Sequence, residues 1–309
     1  MTALTVEQVS VIIVNYNGEN VLPKALSSLK DLAESPLEVV VVDNGSSDHS
    51  VDLVKEFASN DPKIRLIALG SNLGVAGGRN VGVEVAGGEI WAFLDADGRA
   101  LPDWLAEALK VLNGDQSIGA VAPLVLMDDG HLINGAGSFL DRSGHGRDRF
   151  WGETVASLEP ELVGLSGEDC DYAMGCGMVI RRDGLESLWP LDEDLLKWHD
   201  DTEIGIRIRR LGYRTVFWAP SRVLHDPGHS DPRSREARHL QAEKARFRLL
   251  VKYYPLTTCV RELSYYLLHA ASGSRRRPQA LLEAREVLSD LRQSWRHLIS
   301  IRRQWRKRS

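Results

Sequence analysis

Ile90-Trp91-Ala92-Phe93-Leu94-Asp95-Ala96-Asp97-Gly98 is an apolar run of strand character that stops at two carboxylates one residue apart and then a glycine. The run is the length of a core-crossing strand, so both acids fall where the strand opens into a loop. In a mainly parallel α/β sheet that end of a strand is the ligand end. Paired carboxylate oxygens there hold a hard divalent cation, which in turn holds phosphate. An Asp-x-Asp taken alone also serves as a turn or a helix cap, so its meaning rests on its surroundings.

Those surroundings repeat one unit. Val9 to Val14 reads as a buried strand running into Asn15-Tyr16-Asn17-Gly18, after which Val21, Leu22, Ala25, Leu26 and Leu29 recur at helical spacing behind Pro23. Leu37 to Val42 is a second strand, Asp43 to Asp48 a turn and cap, and Val51, Val54 and Phe57 mark a second helix. Ile64 to Leu69 is a third strand. Strands separated by such helices imply right-handed crossovers and a parallel sheet covered on both faces. Next comes Asn72-Leu73-Gly74-Val75-Ala76-Gly77-Gly78-Arg79-Asn80-Val81-Gly82. Each glycine costs a helix about 1 kcal/mol against alanine, so close approach to the backbone is wanted there. Two candidates stand for what approaches: a diphosphate with Arg79 as charge partner, or the sheet itself. The spacing is not a GxGxxG dinucleotide fingerprint.

The chain has 309 residues, 43% apolar and 26% charged, which suits one large domain or a domain with an appendage. Cys170, Cys176 and Cys259 form no CxxC pair and are odd in number, which argues against a disulfide framework and against a metal-thiolate site. No stretch approaches the ~18 apolar residues of a membrane span, and Met1 to Gln8 lacks signal-peptide character. The expectation is a cytoplasmic protein, peripheral at most at the inner face of the cell membrane. The net charge of −5 is unevenly spread: Ser272 to Ser309 holds eleven Lys or Arg against three Asp or Glu, a surplus of +8 that leaves −13 elsewhere.

With four motifs now in order, the chain resembles family 2 glycosyltransferases of the GT-A fold, inverting enzymes that use nucleotide-activated sugars. The likeness rests on Val11 to Gly18, Val39 to Asp48, Asn72 to Asn80 and Phe93 to Asp97. It continues downstream over about residues 9 to 255. Asp171 to Arg182 is similar to the family's acceptor-side glycine segment, and Leu191 to Arg207 to its acidic motif. In that motif Asp200 stands where glutamate is commoner, and Asp201 matches the aspartate. Gly212 to His225 resembles the closing strand and histidine. Within the family the likeness is to rhamnosyl- and galactofuranosyltransferase-like proteins of bacterial cell-surface glycan synthesis.

The resemblance implies a GT-A fold, a mainly parallel sheet flanked by helices, with residues 1–232 as catalytic domain and 233–309 as a helical C-terminal extension with a basic tail. The nucleotide-binding half would span about 9–100 and the acceptor half about 101–232. Asn15, Tyr16, Asn17, Asp43, Asn72, Gly74, Arg79 and Asp95 are the donor-binding candidates. Asp43 has a competing role as a cap for the next helix, which Ser46 or Ser47 would serve as well. Asp95, Asp97 and His225 would hold Mg²⁺ or Mn²⁺ against the leaving diphosphate, although a histidine at a strand end is often only a surface or core residue. Asp201 is the expected general base, with Asp200 as its rival. If a helix begins there, Asp200 and Glu203 share a face and Asp201 points elsewhere. Alternatively, all three acids merely balance the helix dipole and Arg207.

The activity implied is transfer of a sugar from dTDP-rhamnose or a UDP-sugar to an acceptor hydroxyl of a glycan or lipid-linked acceptor, by metal-assisted direct displacement. A non-catalytic sugar-nucleotide-binding or scaffold protein of the same fold is the second reading. A nucleotidyltransferase is the third, but Asn15-Tyr16-Asn17-Gly18 is not the glycine- and basic-rich triphosphate loop it needs. Residues 101–112 form an amphipathic helix with Trp104 in the core. Met127 to Ser166 lacks periodicity and reads as a partly ordered insertion beside the acceptor site. Trp151, Trp189 and Trp198 either stack on sugars or pack.

After Pro227 the pattern is helical, with Ser272 to Pro278 as a hinge. Leu281, Ala284, Leu288, Leu291, Trp295 and Leu298 then step by threes and fours along one long helix with a narrow apolar seam. That helix would dock on its own domain, on a second subunit or on an anionic membrane surface. No nucleic-acid recognition motif accompanies its charge.

Overall fold

The computed structural model describes residues 3–195, 198–226, 235–273 and 279–306. Most of the hinge expected at Ser272 to Pro278 lies outside them. In chain order the elements are β1 (Val9–Asn15), α1 (Leu22–Lys30), β2 (Glu38–Asp43), α2 (Ser50–Asn60), β3 (Ile64–Ala68), α3 (Gly74–Val85), β4 (Ile90–Phe93), β5 (Gly98–Ala100), α4 (Trp104–Gly114) and β6 (Ile118–Met127). There follow β7 (Ile133–Ala136), β8 (Ser138–Leu140), β9 (Gly146–Asp148), α5 (Val155–Gly164), β10 (Asp169–Cys170), β11 (Val179–Arg181), α6 (Asp200–Arg210), β12 (Arg214–His225), α7 (Arg235–Tyr253), α8 (Leu256–Gly273) and α9 (Ala280–Arg306).

One ten-stranded sheet runs β10-β12-β6-β11-β4-β1-β2-β3, with β5 added to β12 and β7 to β6. Its first half is the parallel sheet the strand-helix units require: β1 pairs in parallel with β2 and β4, and β2 with β3. The interior of β2, Val39 to Val42, is fully enclosed, as a strand covered by helices on both faces must be. The second half is mixed rather than mainly parallel. β11 runs antiparallel between β4 and β6, and β5, β7 and β10 are likewise antiparallel additions. Three-residue strands carry too few side chains to show a period, so their pairing decides what they are.

The α3 glycines resolve for packing on the sheet. A methyl group on Gly78 would lie 2.5 Å from a Val14 methyl, and one on Gly82 2.5 Å from an Ile12 methyl. Only hydrogen at those positions lets α3 lie this close to β1. Trp104 is buried in α4 as expected, and its indole Nε1 donates to the Gly177 carbonyl at 2.8 Å. Met127 to Ser166 is not a loose insertion: it contains β7, β8, β9 and α5, and Leu162 and Ile133 are wholly buried.

The chain divides into two compact units. The first comprises 1–139, 148–196 and 200–231 and holds the large sheet. The second holds the C-terminal helices together with Leu140–Arg147 and the residues around Trp198 and His199. Within it α9 buries Ala284, Val287, Leu291, Leu298 and Trp305. The expected seam is therefore half right: Leu281, Leu288 and Trp295 are 50%, 40% and 47% exposed and form a separate outward row. Among the described residues no helix is long and apolar enough to cross a membrane.

Candidate active site

Parallel register places the polar ends of β1 and β2 side by side, Asn15 opposite Asp43. The Asn15 Nδ2 donates to Asp43 Oδ1 at 2.9 Å, while Ser46 gives Asp43 both its backbone N–H (2.9 Å) and its hydroxyl (2.6 Å). Asp43 thus organises its own turn and keeps little accepting capacity in reserve. The next turn is set by Asn17, at φ 52°, whose Oδ1 accepts the Ser47 N–H at 2.8 Å. Tyr16 stands exposed beside it. Across the cleft end of β2, Asn44 bonds the Gly74 carbonyl and the Leu73 N–H, and the Asn72 Oδ1 accepts the Gly74 N–H at 2.8 Å. Gly74, at φ 74°, starts α3 in a conformation that favours glycine.

The acidic pair after β4 is brought against the far end of the sheet by β5, whose Gly98 pairs with His225 of β12. The His225 Nε2 lies 3.4 Å from Asp97 Oδ1 and 3.8 Å from Asp95 Oδ2. Its Nδ1 meets Asn134 Oδ1 of β7 at 2.7 Å, which orients the ring with Nε2 toward the carboxylates. Burial opposes charge on His225, but the Asp97 hydrogen bond and the Asp95 and Asp97 charges raise its pKa above the usual histidine value. The Asp97 Oδ2 is buried with no hydrogen-bond partner among the described residues. An orphaned buried carboxylate oxygen, a second carboxylate and an imidazole nitrogen facing both are a donor set that fits a divalent cation.

Arg79 does not face an open phosphate site. It is 3% exposed, ion-paired with Asp200, 3.3 Å from Asp95 Oδ1, and lies over the Phe93 ring. Gly175 makes room for it, since a methyl group there would lie 2.4 Å from the guanidinium. One cation thereby ties the acidic pair after β4 to the acidic start of α6. In α6 the three acids take three different environments. Glu203 is fully buried, 3.1 Å from Arg207 Nη2, and accepts the Asp192 N–H at 3.1 Å. Asp200 is held by Arg79, although burial raises its pKa against that charge. Asp201 is partly exposed and accepts the Thr202 N–H on Oδ1 at 2.6 Å. Burial, and then the Asp200 charge, push its pKa to about 7. A carboxyl that titrates near neutrality beside one pinned by arginine can take a proton where its neighbour cannot.

Asn134, Cys176 and Asp148 are site residues that sequence reasoning did not find. Asp148 is raised by burial, accepts the Ser138 hydroxyl at 2.6 Å, and adds its charge to the field at Asp201. Each reaches the site through antiparallel pairing or a loop of the mixed half-sheet. The only local signal was the Gly175-Cys176-Gly177 bracket, two glycines around one thiol. Of the tryptophans, Trp189 packs against Trp91 and Phe93, and Trp151 is 65% exposed.

A parallel α/β half that ends in a polar turn, joined to a carboxylate cluster with a histidine, is an arrangement able to take a nucleotide and a divalent cation. A sequence profile described as Glycosyl transferase family 2 matches residues 10–189, and the chain belongs to that family. It is 31% identical over 192 residues to an uncharacterized glycosyltransferase of Nostoc, covering 62% of this chain and 55% of that one. It is 26% identical over 249 residues to an N-acetylglucosaminyl-diphospho-decaprenol L-rhamnosyltransferase of Mycobacterium tuberculosis, covering 74% and 80%. The chain spans about half the length, or less, of other curated relatives. The fold matches GalNAc-T7 with UDP, GalNAc and Mn²⁺ at TM-score 0.61 and 20% identity, covering 79% of this chain and 47% of that one. A mannosyltransferase of Pyrobaculum calidifontis with GDP-Man and Mn²⁺ matches at 0.57 and 21%, covering 93% and 75%. The fold is thus the mixed α/β sheet of GT-A glycosyltransferases with helices added at the C-terminus.

Proposed function

We propose that this chain is an inverting glycosyltransferase that moves a sugar from a nucleoside-diphosphate donor to an acceptor hydroxyl by direct displacement. The observation that carries the reading is the divided state of the α6 acids: Asp200 paired with Arg79, and Asp201 raised to about 7 and partly open. In this reading Asp201 takes the acceptor hydroxyl proton as the new bond forms. Asp200 and Arg79 hold α6 against the acidic pair. Asn15, Tyr16, Asn17, Asp43, Asn72 and Gly74 form the nucleotide side. A divalent cation, Mg²⁺ or Mn²⁺, held by Asp95, Asp97 and His225 would supply charge to stabilise the departing diphosphate. Mn²⁺ accompanies the nucleotides of both structural neighbours, which supports this assignment.

The rhamnosyltransferase relative supports dTDP-rhamnose as donor and a lipid-linked acceptor in cell-surface glycan synthesis; a UDP-sugar is the second donor. An acceptor of that kind sits at a membrane, and α8 turns Leu256, Val260, Tyr265 and Leu268 outward, 47–69% exposed, beside the exposed Arg261. We therefore assign α8 to the headgroup layer of a membrane, held by its apolar face and not by charge, since Arg261 is paired with Glu262 at 2.8 Å. Val260→Asp with Leu268→Asp should abolish co-sedimentation with lipid vesicles. Retained sedimentation, or loss only of a dimer, would assign the face to a second subunit.

The catalytic test is Asp201→Asn, which should lower transfer by about 10²–10⁴ while donor binding survives. Near-normal turnover of Asp201→Asn beside an inactive Asp200→Asn would move the role one residue back. A wild-type protein that binds donors and transfers from none would be the scaffold protein of the second reading.

A further inference from the structure

Cys176 is 1% exposed and packs in the core of the sheet unit, with its sulfur turned to the acidic loop, where it meets the ligand atoms of Asp95 and His225. Its position is tightly set. The Gly177 N–H donates to the Phe93 carbonyl at 2.7 Å, with Gly177 at φ 88°. A methyl group on Gly98 would lie 2.8 Å from the Cys176 sulfur. The ligand atoms of Asp95, Cys176 and His225 all lie within 4.8 Å of one another. Around a tetrahedral ion with bonds of about 2.0–2.3 Å, neighbouring ligand atoms stand about 3.3–3.8 Å apart, so a modest contraction would close the set. The sulfur does not stand alone in pointing to an ion, because the orphaned Asp97 Oδ2 is buried in the same acidic loop.

We propose that Cys176 is a sulfur ligand of the cation held by Asp95, Asp97 and His225. This rests on the metal reading above and adds to it a selectivity. A mixed oxygen, nitrogen and sulfur set favours borderline and soft ions, so the site takes Mn²⁺, Co²⁺, Zn²⁺ or Cd²⁺ over Mg²⁺. As the sulfur–metal bond forms, the thiol proton leaves to solvent, one per ion bound.

Cobalt makes the claim visible, because thiolate-to-Co²⁺ charge transfer absorbs in the near ultraviolet whereas oxygen and imidazole ligation does not. The full chain is titrated with Co²⁺ while bound metal is counted by equilibrium dialysis. The wild type should bind one ion with the charge-transfer band. Cys176→Ser should bind Co²⁺ without it, and should lose about tenfold or more of the preference for Cd²⁺ over Mn²⁺. Cys176→Ala serves if the serine variant misfolds, with thermal unfolding in chelator as the check on folding. One Co²⁺ bound to the wild type without a band, or a band that persists in both variants, overturns the proposal and leaves the metal reading standing. No Co²⁺ bound to the wild type, under conditions where Asp97→Asn behaves alike, overturns both.

Discussion

Both units of this protein bury charged side chains, and they do so to opposite ends. In the helical unit the charges are matched. Glu243 lies against Arg246 at 2.6 Å and His145 at 3.5 Å, and although burial works against its charge these partners hold its pKa at about 2. Arg248 is 3.2 Å from Asp290, and burial, aided by Arg246, pushes His199 down to about 4, leaving it neutral at pH 7. In the sheet unit Asp95, Asp97, Asp200 and Asp201 share Arg79 and His225, and Asp201 is driven up to about 7. Matched burial is architecture, whereas a surplus of one sign in a confined space stores work that a cation or a substrate proton can release.

The most severe way to test that contrast is to remove the cation that the surplus depends on. Arg79→Met leaves Asp200 buried without its counter-charge and should cost about 3–5 kcal/mol in urea unfolding, with most of it recovered in the Arg79→Met/Asp200→Asn double variant. A cost below 1 kcal/mol would mean that the carboxylates were not in tension. In the helical unit, the Arg302 Nη1 donates to the Val251 and Tyr254 carbonyls at 2.7 Å each, closing the end of α7. Arg302→Met should cost about 1.5–3 kcal/mol, less than Arg79→Met, because it strands carbonyls and not a charge.

How much of this was legible beforehand follows from the range of the interactions. The strand-helix units of the parallel half were readable because burial on both faces leaves a continuous apolar run. The acidic pair was readable because it ends one of those runs. Asn134 and Cys176 were hidden because only the pairing of β7 with β6, and of β11 with β4, brings them to the site. Arg79 stood as a candidate phosphate partner because its actual partners, Asp95 and Asp200, lie 16 and 121 residues away in sequence. In α9 two heptad rows both carry leucines, and sequence spacing merged the buried row with the exposed one. Val287→Ala, in a wholly buried site, should therefore cost about 2 kcal/mol, and Leu288→Ala, 40% exposed, less than about 0.5 kcal/mol. Equal costs would restore the merged seam.

A smaller effect than the loss of Arg79 is also the most direct reading of the surplus. Asp201 titrates at 3.8 when unperturbed and at about 7 in the fold. Between those values the folded chain holds a proton that the unfolded chain has released, so stability falls as pH rises from about 4 to about 7. Replacing Asp201 with asparagine removes both that loss and the repulsion of Asp200. Asp201→Asn should consequently melt higher than wild type at pH 8 in chelator, by about 1–2 kcal/mol once partial exposure is discounted, and the advantage should vanish toward pH 4. The same titration governs the chemistry in the opposite sense, since only the ionised carboxylate accepts a proton, and transfer should rise with pH through about 7. Stability lost and activity gained over one pH interval would identify a single group behind both. A melting advantage of Asp201→Asn that did not change with pH would show that Asp201 carries no strain, and that the acidic surplus is neutralised elsewhere.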